Sequence, residues 1–361
     1  MAQPGLQQRL GGQRRRLGLA AVFLASAASA MPAADAPVDR VIAKSQAIDT
    51  DLVVPPDGSL TIHSGTELTF AADAGIVCRG SLIAEGTAAH PIRLLASGAG
   101  GWRGIVVLGA GKARLQRCRI SGAGGRPCWM DPASGLVTAM GTAPPGAAIM
   151  TAGGALLVLG PAVVHGEHCR FDHDHADYGG AMACLGAAPV ITSCRFDHDR
   201  AARDGGALYW SGAAGGSLTG CLIDANAAAI GAGARIVRGA APLLSACRLE
   251  RNAAADQGGA VALAWGVKPI ISECMIAGNT AVGHGGGISS MLDSTPVLRG
   301  NWFEDNADHD GTGPGLVASA TIEGKADHST CAQDDAVNRD RVVTRIARVG
   351  ADKLEDLLPD P

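Results

Sequence analysis

Large rings are scarce in this chain. Its 361 residues include five Phe, five Trp and two Tyr, so aromatics make up 3% of the sequence, and charged residues reach only 18%. A globular core of ordinary width draws much of its apolar volume from such rings. Their scarcity beside 51 Gly argues instead for a narrow, tightly stacked interior. It also argues against a deep aromatic-lined cleft for long sugar chains. No C-x-x-C spacing, P-loop or nucleophile elbow occurs, which removes the simplest signatures of zinc sites, nucleotide binding and serine hydrolysis. No apolar run reaches the ~20 residues that a membrane-spanning helix requires. The formal net charge of −4 offers no basic footprint for nucleic acid.

The longest apolar stretch, 17–30, follows Arg14, Arg15 and Arg16 and ends in Ala28-Ser29-Ala30. A basic lead, a short apolar run and an A-x-A end describe a secretory signal peptide, with cleavage expected before Met31. The cleaved piece carries Arg9 as well and no acid, so the remainder is more acidic than the whole chain. Residues 31–45 read as a flexible leader. The expected location is outside the cytoplasm: periplasm, outer surface or medium, with no transmembrane segment left after cleavage.

What the chain does have is a clock. Cys169, Cys194, Cys221, Cys247 and Cys274 recur at steps of 25 to 27 residues, and Asn301 takes the next slot. A period of this size marks stacked supersecondary units. Aligned on the slot, Ile191, Leu218, Leu244, Ile271 and Leu298 stand three before it. Phe171, Phe196, Ile223, Leu249, Ile276 and Phe303 stand two after it. From the slot onward apolar and polar residues alternate, which is strand behaviour, and a bend is expected between positions −3 and 0. Five after the slot come Asp174, Asp199, Asn226, Asn252, Asn279 and Asn306. These small polar residues suit a left-handed turn and coil-to-coil hydrogen bonding. A Gly-rich step such as Gly205-Gly206 follows as a further corner. Cys118 extends the period upstream after an excess of about two dozen residues, read as one inserted loop over 122–146.

The phrases carrying this period resemble a known class. Pro55-Pro-Asp-Gly-Ser-Leu-Thr-Ile62 looks like an opening coil of exported right-handed parallel β-helix proteins of the pectin-lyase-like architecture. Gly205-Gly-Ala-Leu208 and Phe303-Glu-Asp-Asn306 are similar to the repeats of polymorphic outer-membrane proteins. The resemblance covers about residues 50–315. It implies an all-β, right-handed parallel β-helix over 46–320, of nine or ten coils, closed by a C-terminal cap and tail at 321–361 with a short helix over 336–358. Such signatures are structural parts of a coil and specify no chemistry.

The densest polar constellation is Arg170-Phe-Asp172-His173-Asp174-His175 beside Arg195-Phe-Asp197-His198-Asp199. Arg at +1 and Asp at +3 are expected to face outward in stacked rows, continued by Arg119, Asp224, Arg248 and Glu250. Two chemistries fit. Arg170, Asp172, Arg195 and Asp197 are the catalytic candidates of a polysaccharide lyase, epimerase or glycosidase, assisted by Ca²⁺ held on carboxylates, as the resemblance to pectate-lyase-like helices implies. Asp172, His173, Asp174, His175, Asp197, His198 and Asp199 are candidate ligands for Ca²⁺ or another divalent cation. The plainer alternative is a solvated face of ion pairs worth ~0–1 kcal/mol each. Trp210, Trp265, Tyr209 and Trp302 are candidate sugar platforms. The cysteine column reads as buried, reduced thiols, whereas Cys128 and Cys331, outside it, are better candidates for a disulfide or a reactive thiol. Coil-building residues dominate any converging catalytic set. The expected function is therefore a non-catalytic binding or structural module for a polysaccharide or cell-surface component, with the polysaccharide-active enzyme as the alternative.

Overall fold

In the computed structural model of the chain, residues 39–130, 137–139, 148–308, 316–317 and 321–323 are described. They form an all-β parallel solenoid with no helix, wound into sheets of eleven, ten, nine and ten strands. The right-handed winding is the sense expected for parallel crossovers of twisted strands. One coil shows the plan. Its first face is Val190–Thr192, its second Arg195–Asp197, its third Arg200–Asp204 and its fourth Leu208–Ser211. The next coil repeats these as Ser217–Thr219, Leu222–Asp224, Ala227–Ile230 and Ala234–Val237. Pairing is parallel and in register, Phe196 on Ile223 and Ile191 on Leu218.

The interior follows from that register. Ile191, Leu218, Leu244 and Ile271 stack from the first face, and Phe171, Phe196, Ile223, Leu249 and Ile276 from the second, all fully buried. The rings of Phe171 and Phe196 stack at 4.8 Å and 6°, the strand spacing itself. Each coil thus sequesters several side chains worth about 2 kcal/mol apiece.

Three corners explain the repeat. The residue before the cysteine slot is left-handed in coil after coil: Arg117, His168, Ser193, Gly220, Ala246, Glu273 and Gly300. This is the bend expected between −3 and 0. The second left-handed residue stands four after the slot, at His173, His198, Ala225, Arg251, Gly278 and Asp305. That corrects the sequence reading, which assigned this conformation to the Asp/Asn position. The following residue has turned inward instead, where its side chain bonds backbone. At the third corner a Cβ on Gly206 would overlap the carbonyl oxygen of Ala232 in the next coil, so only glycine permits this approach.

The cysteine column is a hydrogen-bond ladder. The Cys169 amide donates to Cys194 Sγ at 3.2 Å, and the Cys194 thiol reaches Thr192 O at 3.4 Å. Where the slot holds Asn301, its Oδ1 accepts from the Cys274 amide at 2.9 Å and its Nδ2 donates to Ile271 O at 2.7 Å. Sulfur and amide do one job: they satisfy main-chain groups that the corner strands indoors. All nine described cysteines are free and buried.

Boundaries differ from expectation at both ends. Asp39–Ile42, within the stretch read as leader, already pairs with Ser59–Ile62. Thr321–Glu323, assigned to the cap, pairs with Val297–Arg299. The insertion is also more than a loop. Arg126–Met130 runs antiparallel to Ile149–Ala152 and to Val137–Ala139, extending the third sheet. Buried Arg126 clamps the insertion to the first coils through two hydrogen bonds to Asp51, at 3.0 and 2.8 Å. The signal segment 1–30, the helical cap 336–358 and Cys331 lie outside the described residues. Among the described residues no helix is long and apolar enough to cross a membrane.

Candidate functional site

The second face carries the Arg/Asp rows, but not as a solvated surface. Asp172 and Asp197 are fully buried beneath guanidinium groups. Arg119 and Arg170 each reach one coil down. Arg119 holds Asp172 through two bonds of 2.9 Å, and Arg170 holds Asp197 through two of 3.0 Å. Ser121 adds a bond to Asp172, and Arg195 adds one of 2.8 Å to Asp197. Farther on, Arg251 pairs with Asp224 and Arg248 with Glu250. The expected ion-paired face is thus present but closed over Asp172 and Asp197, which the forks of Arg119 and Arg170 cover. Burial pushes the Asp172 carboxyl up, yet the hydrogen bonds from Arg119 and His173 and the charges of Arg119 and Arg170 outweigh it and hold it below the usual carboxylate range.

The seven candidate cation ligands diverge. His173 and His198 occupy the left-handed corner, each with Nδ1 at 3.0 Å from the preceding aspartate, their rings stacked at 5.3 Å and exposed. Asp174 and Asp199 turn into the interior at the next position. His175 opens the third face, its ring over Gly101 and Gly124. Asp172 and Asp197 stay with their arginines. One-residue steps around a tight corner send neighbours in sequence in different directions, so no shared donor set arises. Among the described residues no group of three or more His, Cys, Asp or Glu converges as for a metal. The catalytic candidates Arg170, Asp172, Arg195 and Asp197 do come together, as a self-satisfied lattice.

Two other features take shape only in three dimensions. A shallow trough of about 910 Å³ runs along the third sheet. Ala201, Ala202, Ala228, Ala229, Ala254 and Ala255 form its floor, with His175 and Arg200 at one end and Asp308 at the other. The second feature lies in the angle between third and fourth faces. Asp204 meets Arg235 of the following coil at 3.5 Å, and Tyr178 packs on Tyr209 at 5.1 Å. Arg235 is buried, its Nε being the atom that faces Asp204, and it lies under Trp265, which Arg238 also covers at 4.5 Å. Burial raises the Tyr209 hydroxyl and lowers Arg235, the latter opposed by the charge of Asp204. Burial likewise raises Asp204 against the charges of Arg235 and Arg203. Sequence reading missed this cluster because its members come from four coils and different strand positions. The one available signal was an arginine in an otherwise apolar strand, Ala234-Arg235-Ile236-Val237.

Of the proposed sugar platforms, Trp210 is interior, Tyr209 is buried and Trp302 is half-buried, which leaves Trp265, 45% exposed. Cys128 is no exposed thiol. It packs with Val77, Val106, Met150 and Leu157, and burial pushes it up to about 12. That corrects its reading as a reactive or disulfide-forming residue: the strand Arg126–Met130 turns it into the apolar cluster with Val77, Val106 and Leu157.

No protein-family model and no curated protein sequence matches the chain. Among solved structures, the A-module of mannuronan C-5 epimerase AlgE6 from Azotobacter vinelandii is similar at 8% identity and a TM-score of 0.27, covering 80% of this chain and 91% of that one.

Proposed function

We propose that this chain is a non-catalytic binding module that presents a β-solenoid outside the cytoplasm and holds an extended polymer along the alanine-floored trough. The observation that carries this reading is the trough itself. Successive strands contribute methyl groups at one level, so a linear ligand meets the same shallow surface from coil to coil, with charge only at its ends. The closed Arg/Asp lattice supports the same reading, since its carboxylates are already engaged by arginines. Export rests on the basic and apolar pattern of residues 9–30. Polysaccharides and cell-surface glycans are the ligand class proposed. Titration of the mature protein with a polysaccharide panel tests it: binding abolished by Ala229→Trp or Ala255→Trp, which fill the trough, is expected, and unaltered binding in both variants would overturn it.

A second reading, a polysaccharide lyase, epimerase or glycosidase, is favoured by one observation, the half-buried Asp204 beside buried Tyr209 and Arg235 beneath an exposed Trp265. Product formation from acidic polysaccharides that Tyr209→Phe abolishes and Asp172→Asn leaves intact would establish that site in place of the trough.

A further inference from the structure

The inner corner between second and third faces carries one buried polar side chain per coil: Asp174, Asp199, Asn226, Asn252, Asn279 and Asn306. The four asparagines show what the position demands. Each Oδ1 accepts the main-chain N–H of the preceding coil's ladder residue, as when Asp199 N donates to Asn226 Oδ1 at 2.8 Å and Asn226 N to Asn252 Oδ1 at 3.1 Å. Each Nδ2 donates to a carbonyl: Asn226 to Phe196 O, Asn252 to Ile223 O, Asn279 to Leu249 O and Asn306 to Ile276 O, at 2.7 to 3.1 Å. The position thus requires one acceptor and one donor.

Asp174 and Asp199 supply the acceptor half unchanged. Ala123 N donates to Asp174 Oδ1 at 2.7 Å, and Asp174 N to Asp199 Oδ1 at 2.9 Å. Their Oδ2 atoms are buried and without a hydrogen-bond partner. By register these oxygens take the place of the amide nitrogens, and the carbonyls that correspond to Phe196 O are Ile120 O and Phe171 O. An ionised oxygen there faces only acceptors. A protonated one donates as Nδ2 does.

We propose that Asp174 and Asp199 are carried as neutral carboxylic acids, each proton replacing an amide hydrogen of the ladder, and that they form a pH-sensitive latch on the corner where the insertion leaves the solenoid. The insertion begins beside Ala123, whose amide donates to Asp174 Oδ1, and loss of the proton sets an ionised, uncompensated Oδ2 among acceptors at that root.

The surrounding charges reinforce the neutral form. Burial dominates and outweighs the main-chain N–H bond that each Oδ1 accepts; the carboxylates of Asp172 and Asp197 add to it at both groups, and Asp174 adds to it at Asp199, raising both well above the usual range. The arginines facing this region, Arg119, Arg170 and Arg195, spend their donors on Asp172 and Asp197. His173 and His198 bond those same aspartates, His175 and Arg200 begin the third face, and Asn226 closes the pair from below. None of these hydrogen bonds reaches either Oδ2.

The sign follows from linkage. The folded form holds protons that the unfolded chain releases above the ordinary carboxylate value. The contribution is whole below that value and is lost as pH rises towards the folded one, up to tenfold in the folding constant per pH unit for each acid. Urea unfolding of the mature protein from pH 4 to 9 tests this beside Asp174→Asn/Asp199→Asn. The wild type should lose stability with rising pH by a component the double variant lacks, and the variant should be the more stable protein at pH 8. Parallel pH profiles, or a less stable variant at pH 8, would overturn the proposal. Asn226→Asp gives an independent check, since a third ladder acid should steepen the fall, and an unchanged slope counts against the idea. Amide hydrogen exchange over 122–130 should accelerate with pH beyond its intrinsic chemical increase in the wild type only. Equal acceleration in the double variant would dismiss the latch.

Discussion

Cys194 accepts the amide hydrogen of Cys169 at 3.2 Å, the bond that Asn301 makes to Cys274 at 2.9 Å four column positions farther along. A thiol and a carboxamide are interchangeable here because the corner asks for a small acceptor that also donates to a carbonyl. Cys221→Asn should therefore cost less than Cys221→Val, which leaves the Cys194-side main chain unsatisfied at about 1–3 kcal/mol. Urea denaturation of the two variants decides it. Equal loss in both would mean that the column is mere packing.

The arginine forks make Asp197 a structural keystone. Removing its carboxylate in Asp197→Ala strands Arg170 and Arg195 and should destabilise the solenoid by about 3 kcal/mol, far beyond an exposed pair. Arg114→Ala, whose partner Glu85 sits on the surface, should change stability by less than about 1 kcal/mol. A comparison of unfolding midpoints checks the contrast.

Asp172 should give the protein an acid limb. Its folded carboxyl lies below the unfolded value, so its contribution is present above the ordinary carboxylate range and lost as pH falls through the folded value. Asp172→Asn should flatten the fall in stability below pH 4. Melting temperatures between pH 2 and 6 would show it.

Thiol accessibility separates a buried column from a redox surface. In a Cys331→Ser variant, no native thiol should react with a disulfide reagent within minutes, and the nine described cysteines should all react after denaturation. Rapid native reaction at Cys128, raised to about 12 and packed among Val77, Val106 and Leu157, would contradict its placement.

Gly206→Ala should fail to fold or lose the corner, because the added methyl meets the Ala232 carbonyl, which is fixed backbone. Ala202→Ser, on the exposed trough, should fold normally. Expression and circular dichroism distinguish them.

The sequence by itself determined the coil. Stacking in register puts like on like, so the recurrence of Cys, Phe, Asn and Gly-Gly carried the faces, the inward columns and the amide ladder. It also carried the existence of the insertion, as an interruption of the count. What it could not carry was direction around a corner. Asp172, His173 and Asp174 are consecutive, yet one is covered by arginine, one stands in solvent and one is interior, because a single left-handed residue rotates the chain between them. Only the tertiary structure set Asp204 against Arg235, or packed Cys128 with Val77 and Val106 of earlier coils. Those contacts join different coils and different faces, and periodicity along one column has no information about how two columns meet.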